Sequence, residues 1–286
     1  IDHNSSLQGN SPTVAMKSVA TCLSAHIFTR SSIVGAPHKL SQPRPRIACR
    51  NHLRTYSALS AERMAPTIKL TYFDLEAAAE KVRLALTISG LDFEDKRIQF
   101  SEWQAMKPTV KYGQLPVLEV DGVELYQSEA QMKWAARMGD GSLYPSEAFA
   151  AYEVDFVMGM FGDFVGAWQP CLYMGMRPQK YGYPEGDAWP AEEKNAKVKE
   201  IREKFCKESM PMYMNQLTEQ IEKHGNNFLC GDKITIADLQ WYVQLRYFTK
   251  GVADHVPADI LSAYPTVVAY ISRVDEVPAI KAYHSK

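Results

Sequence analysis

The chain has 286 residues and is 46% apolar, a composition that suffices to bury the core of one or two globular domains. Its formal net charge is −1, but residues 1–64 carry +6 and residues 65–286 carry −7. A mildly acidic body argues against a nucleic-acid partner. No run of about 18 apolar residues is free of charge, so the sequence predicts no membrane span.

The five cysteines give no sign of a disulfide framework. Their number is odd, and no two of them have the Cys-x-x-Cys spacing of many zinc sites. The sequence therefore predicts neither disulfides nor a metal site, and a reducing compartment is the simpler expectation.

The segment of residues 1–64 differs from the rest in composition. It holds eight Lys and Arg but only two Asp and Glu, and the basic residues are scattered among many serines and threonines. Such a composition is typical of an organelle transit peptide. If translation starts at Met16, the leader of residues 16–64 predicts a mitochondrial protein. If it starts at Met64, the protein is expected in the cytoplasm and the preceding residues are an artefactual extension.

The first elements in chain order are a strand, a helix and a second strand. Residues 67–72, "TIKLTY", alternate apolar and polar side chains as a strand does. Residues 78–89 repeat apolar side chains at helical spacing, and Gly90 follows as a helix stop. Residues 93–98, "FEDKRI", predict a second short strand.

An irregular loop containing Trp103 and Lys107 is expected next. Two short apolar runs then flank Asp121-Gly122, which is a strong hairpin signal. A helix from about Ser128 to Met138 closes this unit. The order β-α-β, loop, β-β-α predicts a thioredoxin-like α/β domain over residues 65–143, and the long amphipathic helical patterns that follow predict an all-α domain over residues 146–286.

Three motifs of the α/β unit occur in a fixed order along the chain. They are "KLTYF" from residue 69, "GQLPVLEVDG" from residue 113 and "QSEA" from residue 127. With an all-helical domain behind them, they resemble the cytosolic-type glutathione transferases, most closely the sigma class, which includes the glutathione-dependent prostaglandin D synthases. The resemblance covers residues 65–286. It implies a glutathione-binding thioredoxin-like domain, glutathione as co-substrate, a homodimer and no metal.

The resemblance implies that Tyr72, at the end of the first strand, is catalytic. The thiol of glutathione has a pKa near 8.5, so only a few per cent of it is thiolate at pH 7. A phenolic hydroxyl that donates a hydrogen bond to the sulfur favours the thiolate. Without the surrounding motifs, Tyr72 would be an ordinary half-buried strand tyrosine. Phe73 beside it would line the electrophile side of the site.

The resemblance also implies the residues that bind glutathione. Gln114, Leu115 and Pro116 would contact it, with the N–H and C=O of Leu115 pairing with the cysteinyl backbone before a cis proline. A proline at the first position of a strand is an alternative explanation of Pro116. Gln127 and Ser128, at the start of a helix, would hold the γ-glutamyl carboxylate, although a serine there is also a common N-cap.

Four further residues match family positions. Trp103 and Lys107 would bind the glycyl end of glutathione, because a lysine suits its terminal carboxylate. Asp163 would reach the γ-glutamyl amine bound by a neighbouring subunit, so that a dimer would be needed to complete the site. Trp168 is the candidate for the electrophile pocket. From the residues alone, all four would be surface or packing positions.

One position departs from the family pattern. Many sigma-class relatives have Gly-Arg-Ala-Glu where this chain has Ala77 to Glu80, so the arginine that would lie near the sulfur is missing at Ala78. Lys81 and Arg83 do not align with it. The departure leaves the catalytic strength open and weakens a prostaglandin isomerase assignment.

The predicted function is conjugation of glutathione to small hydrophobic electrophiles, as in detoxification. A glutathione-dependent isomerase or peroxidase would use the same activated thiol. A crystallin-like relative that binds glutathione without turnover is the alternative of another class. Relatives that reduce disulfides through a cysteine are disfavoured because no cysteine lies between Cys49 and Cys171.

Thr235 and Asp238 predict a capping box. Thr235 would be the N-cap of a helix in the second domain, with Asp238 at the third helical position. The pair is expected to stabilise the fold and to take no part in the chemistry.

Overall fold

The computed structural model describes residues 65–285, so the predicted leader of residues 1–64 lies outside the described residues. The described part contains four strands, β1 to β4, which are Ile68–Phe73, Glu94–Ile98, Val117–Val120 and Val123–Leu125. Its nine α-helices, α1 to α9, are Ala77–Ile88, Phe100–Met106, Ser128–Met138, Ala148–Tyr173, Ala191–Lys204, Met210–Lys223, Ile236–Thr249, Pro265–Asp275 and Pro278–His284.

The four strands form one sheet in the order β2-β1-β3-β4. Strand β1 pairs in parallel with β2 across the α1 crossover, and it pairs antiparallel with β3 on its other edge. Asp121 and Gly122 both have positive φ, as the tight turn between β3 and β4 requires. The predicted thioredoxin-like arrangement is confirmed.

Helix α1 covers the sheet with a nearly continuous buried face. Val82 and Leu86, one turn apart, are fully buried against the core. Gly90 adopts φ +66°, the left-handed conformation that commonly follows a helix end. The predicted helix and its stop are confirmed, as is the helix Ser128–Met138.

The predicted irregular loop around Trp103 is wrong. Trp103 lies in α2, and Lys107 opens a short 3₁₀ turn, Lys107–Thr109. The first turn of α2 is closed by a capping box in which the backbone N–H of Gln99 donates to the carboxylate of Glu102. Because α2 has only seven residues and none of them is fully buried, its apolar side chains form too short a pattern to identify a helix from the sequence.

From residue 148 to the end of the described chain there are helices without strands, as predicted. A π-helical turn, Phe205–Ser209, joins α5 to α6, so these helices form one continuous run. Phe164 of α4 and Trp241 of α7 pack together near the centre of this core, with ring centroids 5.4 Å apart. Within residues 65–285, no helix has the length and apolar character that crossing a membrane requires.

The capping box of α7 is confirmed. Asp238 is fully buried and accepts hydrogen bonds from the backbone N–H of Thr235 at 2.7 Å and from its hydroxyl at 2.9 Å. The same carboxylate accepts the N–H of Leu229 at 2.8 Å and the hydroxyl of Tyr270 at 3.0 Å. This carboxylate therefore joins α7, the preceding loop and α8.

Candidate active site

Tyr72 lies at the C-terminal end of β1, and only 8% of its surface is exposed. Burial raises the pKa of Tyr72 above its ordinary value, while the backbone N–H of Ala78 and the guanidinium of Arg83 oppose that rise. The hydroxyl is therefore protonated at neutral pH and available as a hydrogen-bond donor.

A guanidinium that the sequence analysis did not connect with Tyr72 lies against its ring. Arg83 is fully buried, and its central carbon is 5.9 Å from the ring centroid of Tyr72. It donates to the carboxylates of Asp95 at 3.0 Å and Glu80 at 3.2 Å and to the carbonyl of Leu75 at 2.8 Å. The spacing of Glu80 and Arg83, three residues apart on a helix, was the available signal for this ion pair.

Ala78 lies beside the Tyr72 hydroxyl, whereas Lys81 contacts helix α7. The backbone N–H of Ala78 faces the Tyr72 hydroxyl, at the position where the family pattern has an arginine. Lys81 instead donates from Nζ to Oε1 of Gln240 in α7 at 2.8 Å, and burial lowers its pKa to about 8. Lys81 thus joins the sheet-bearing region to the helical region.

The side chain of Phe73 belongs to an aromatic group at the edge of the sheet. Its ring stacks on Phe100 with centroids 4.3 Å apart and meets Trp103 edge-on at 6.1 Å. It also contacts Tyr72 edge-on at 5.4 Å. Phe100 is 64% exposed, so this aromatic group offers an apolar surface close to the Tyr72 ring.

Five predicted glutathione-binding residues line one small pocket of about 60 Å³, namely Gln114, Leu115, Pro116, Gln127 and Ser128. They come from two segments that are separate in sequence. Two tyrosines that sequence reasoning missed, Tyr112 and Tyr126, complete the lining, and their rings meet edge-on at 4.8 Å.

One wall of this pocket presents free backbone groups. The peptide bond between Leu115 and Pro116 is cis, as expected. Neither the N–H nor the C=O of Leu115 forms a hydrogen bond with another residue in the range 65–285. Both groups remain available to an extended peptide that approaches this edge.

The opposite wall is the N-terminus of α3. Gln127 is the N-cap residue, with φ +69°, and Ser128 is the first helical residue, so the alternative of Ser128 as N-cap is wrong. Gln131 of the same helix is fully buried and donates from Nε2 to the carbonyl of Pro116 at 3.0 Å and to that of Leu125 at 2.8 Å. These bonds fix the helix N-terminus against the cis peptide. Sequence reasoning missed Gln131 because a lone glutamine on a helix carries no motif.

The remaining predicted residues lie outside this pocket lining. The side chain of Lys107 is exposed and passes over Gly113, close to the pocket segment. Asp163 is exposed on α4, and its carbonyl accepts a hydrogen bond from the Tyr213 hydroxyl at 3.2 Å. The placement of Asp163 leaves its carboxylate free to meet another molecule.

Trp168 lies inside the helical core and not on a pocket surface. It is 1% exposed and packs against Phe205 and Phe248, both with centroids 5.0 Å away. Its indole N–H is buried without a hydrogen-bond partner in the described part of the chain. A substrate would reach Trp168 only if these neighbours moved, so the ring acts as packing in this structure.

Two family models match the chain in the order of its two regions. The model of the glutathione S-transferase N-terminal domain matches residues 68–137, and that of the C-terminal domain matches residues 187–286. Both regions of the chain are therefore recognised as domains of one family.

Individual proteins match over most of their length. Glutathione S-transferase 1 of Ascaris suum is 32% identical over 76% of this chain and 95% of its own length. The structure of a prostaglandin synthase D from Nilaparvata lugens is 28% identical, with a TM-score of 0.62 over 77% of this chain and 98% of its own. A glutathione S-transferase of the hookworm Necator americanus, described as monomeric, is 30% identical with a TM-score of 0.58 over 77% and 96%.

The order of the motifs, the thioredoxin-like sheet with its cis proline and the two matched regions all lead to one assignment. The chain belongs to the glutathione S-transferase family, and its enzymatic activity is that of a glutathione transferase that uses glutathione as a substrate.

Proposed function

We propose that this enzyme conjugates glutathione to small apolar electrophiles and that Tyr72 activates the thiol. The observation that carries the proposal is a buried, protonated tyrosine on the same sheet as a pocket with free backbone groups. The hydroxyl of Tyr72 donates to the sulfur, which favours the thiolate over the thiol. No part of this step requires a metal.

Glutathione binds along the segment that precedes β3. Leu115 pairs with its cysteinyl backbone through N–H and C=O, and the N-terminus of α3 at Gln127 and Ser128 receives the γ-glutamyl carboxylate. Gln114 and Pro116 close the pocket around that end. Lys107 and Trp103 hold the glycyl end, which the position of the Lys107 side chain over the pocket segment supports.

The electrophile binds on the aromatic side of Tyr72. Phe73 and the exposed ring of Phe100 supply an apolar surface on which a flat or unsaturated electrophile packs. Specificity there rests on shape and apolar contact, because the stacked rings of Phe73 and Phe100 carry no charge. Detoxification is the physiological role that such permissive recognition suits.

The active form is a homodimer in which Asp163 approaches the glutathione of the partner. Three large apolar side chains, Phe149, Tyr152 and Phe156, are exposed on α4, the helix that carries Asp163. Exposed apolar residues on one helix support an interface with another copy. Sedimentation analysis of the active enzyme tests this. A monomer with full activity would remove Asp163 from the site, and the relative described as monomeric makes this outcome worth testing.

A glutathione-dependent isomerase or peroxidase is the second candidate. The similarity to a prostaglandin synthase D favours it, whereas alanine at position 78 counts against strong thiol activation. A crystallin-like protein that binds glutathione without turnover is the third, and measurable glutathione affinity with no product would establish it.

The deciding experiment uses the full chain with glutathione and a panel of aryl halides, unsaturated aldehydes, epoxides, organic hydroperoxides and a prostaglandin endoperoxide. Conjugates identified by mass spectrometry support the transferase proposal. Alcohol products together with oxidised glutathione would indicate a peroxidase instead, and rearranged endoperoxide without conjugate would indicate an isomerase.

The site of action depends on the leader. A Met16-initiated protein directs itself to mitochondria, and a Met64-initiated protein stays in the cytosol, in line with the basic, serine-rich composition of residues 16–64. Fluorescent fusions of the two forms test this, and a diffuse signal from both would make the leader an artefact.

A further inference from the structure

A second and larger cavity lies between α1, β2 and α9. Its volume is about 630 Å³. Four carboxylates line it, from Glu76, Glu80, Asp92 and Asp95, whereas Arg97 is the one arginine or lysine of the lining. The lining therefore offers several carboxylate oxygens, which are ligand atoms for metal cations.

Three side chains converge inside this cavity. Glu76 and Glu80 are one helical turn apart at the start of α1, and His284 comes from α9, about 200 positions later in the chain. One ligand atom from each lies within 4.8 Å of the other two. Because the third member is so distant in sequence, no spacing motif revealed the group.

Each carboxylate uses one oxygen for the protein and leaves the other free. Oε2 of Glu80 accepts bonds from Arg83 and Tyr283, and Oε1 of Glu76 accepts from Lys250. Among residues 65–285, no donor bonds the second oxygen of either side chain or the ring of His284. Glu80 is only 3% exposed and lines the cavity, so its second oxygen is accessible from the cavity and has no hydrogen-bond partner among residues 65–285.

The nearby cations do not fill the cavity. Nη2 of Arg246 lies 3.7 Å from Oε1 of Glu76. Arg83 and Lys250 bond Oε2 of Glu80 and Oε1 of Glu76, and none of the three cations is part of the cavity lining. Outer hydrogen bonds of this kind orient the carboxylate ligands of metal sites, so the two basic side chains hold the free oxygens in place.

We propose that Glu76, Glu80 and His284 bind one divalent transition-metal ion, with Zn²⁺ as the best match, and thereby fasten α9 to α1. One imidazole nitrogen and two carboxylate oxygens, with water as the fourth ligand, supply ligand atoms that Zn²⁺ binds in tetrahedral geometry. Bonds of about 2.0–2.2 Å place such ligand atoms about 3.3 Å apart, so small rotations of Glu76 and His284 close the site. The imidazole ligand favours zinc over magnesium.

This site uses none of the residues proposed to bind glutathione. Its role is to hold the last described helix in place. An ion that binds the folded state and not the unfolded state raises the melting temperature. The residues of the zinc site and of the glutathione pocket can accordingly be varied independently.

The test titrates Zn²⁺ by calorimetry into tag-free, chelator-treated full chain and follows thermal unfolding with and without Zn²⁺. Wild type is expected to bind one ion with a rise in Tm, and Mg²⁺ at equal concentration is expected to give no rise. His284→Ala and Glu76→Gln should each weaken binding at this site by at least about tenfold, since even loss of an outer contact costs 10–100-fold. Both changes lie at the cavity surface, and neither removes the buried pair of Glu80 and Arg83.

The matched control is His224→Ala, because His224 pairs with the single carboxylate of Glu153 at 2.9 Å. It should bind Zn²⁺ like wild type, which shows that the loss of a histidine beside a single carboxylate does not weaken binding. Absence of binding in wild type, unchanged binding in folded His284→Ala, or loss in only one of the two variants would each overturn the three-ligand site.

Discussion

The sheet-bearing region of residues 65–138 and the helical region of residues 148–284 use their polar groups in opposite ways. In the first region, the candidate site consists largely of backbone: a cis peptide before Pro116 and a helix N-terminus at Gln127 leave N–H and C=O groups open. In the second, polar side chains bond one another or buried backbone groups, as Asp238 does when it accepts from the N–H groups of Leu229 and Thr235 and from the hydroxyl of Tyr270.

The polar groups of the sheet-bearing region are therefore available to bind a ligand, whereas those of the helical region stabilise the fold. A backbone site depends on a few local conformations, so its chemistry survives many side-chain changes elsewhere. A buried network depends on every member, because removing one leaves the others without partners. Changes in the helical region should therefore alter stability, and changes beside Tyr72 should alter the reaction.

The largest effect is expected for Asp238→Ala. The change leaves four described donors without their acceptor in the core, namely the N–H of Leu229, the N–H and hydroxyl of Thr235 and the hydroxyl of Tyr270. We expect a loss of about 3 kcal/mol or more in the free energy of unfolding, or about 6–12 °C in Tm. Calorimetry measures it, and kcat/KM per folded molecule at low temperature should be unchanged.

Asp232→Ala is the control in the same loop, because Asp232 is exposed and bonds only the side chain of Asn227 at 2.9 Å. It should shift the free energy of unfolding by less than about 0.5 kcal/mol. Equal losses in the two variants would contradict the view that the buried network of Asp238 holds the helical region.

The same contrast explains what the sequence predicted. The succession of strands and helices and the hairpin at Asp121-Gly122 depend on residue types at fixed local spacing, so local patterns were sufficient. The cis proline was expected from the family resemblance and not from a local pattern. Helix α2 escaped prediction because it is short and has no fully buried residue.

Side-chain positions that depend on distant packing could not be predicted. Trp168 carries no local mark that distinguishes a core ring from a pocket ring, and packing by Phe205 and Phe248 decided the matter. The contact of Arg83 with Tyr72 likewise depends on how α1 lies on the sheet. The roles of the glutathione-binding residues stay predictions.

Tyr72→Phe should affect the reaction and leave the fold intact. We expect kcat/KM to fall at least about tenfold, or about 1.4 kcal/mol, with little change in Tm or in glutathione affinity. Since the pKa of Tyr72 is raised, its hydroxyl keeps its proton as pH rises. Wild-type kcat/KM should therefore rise with pH as the thiol ionises, and it should show no decline at any pH up to about 9.

Tyr144→Phe is the matched control, because its hydroxyl bonds Asp155 at 3.0 Å at the protein surface. Its kcat/KM should equal that of wild type. If Tyr72→Phe also retained full kcat/KM, the tyrosine would have no part in thiol activation and the sheet-bearing region would lose its chemical role.

Ala78→Arg tests the departure from the family pattern. The guanidinium of Arg83 is already paired with Glu80 and Asp95, so it leaves little net field at the sulfur. An unpaired arginine at position 78 should lower the pKa of bound glutathione by about one unit, which ultraviolet titration of the thiolate measures. Ala78→Met adds bulk without charge, and a shift of the same size in this control would show that charge is not the cause.

The smallest effect is expected at Ala77, where the backbone adopts φ +36° at the start of α1. This left-handed conformation strains any residue with a Cβ atom, whereas glycine adopts it freely. Ala77→Gly relieves about 1–2 kcal/mol of strain and loses part of that to the greater freedom of glycine in the unfolded chain. The free energy of unfolding should rise by about 0.5–1 kcal/mol, or about 1–4 °C in Tm.

Ala79→Gly is the control two residues later, since Ala79 is fully buried inside α1. There glycine relieves no strain, so Tm should fall by an amount that corresponds to about 1 kcal/mol or more. A fall in Tm for both variants would mean that Ala77 is not strained. Ala77 precedes the N–H that faces Tyr72, so kcat/KM of Ala77→Gly should be measured as well. An unchanged kcat/KM would mean that the strain affects only stability. A lower kcat/KM would mean that the strain positions the Tyr72 hydroxyl, and stability and catalysis would then not be separable at this turn.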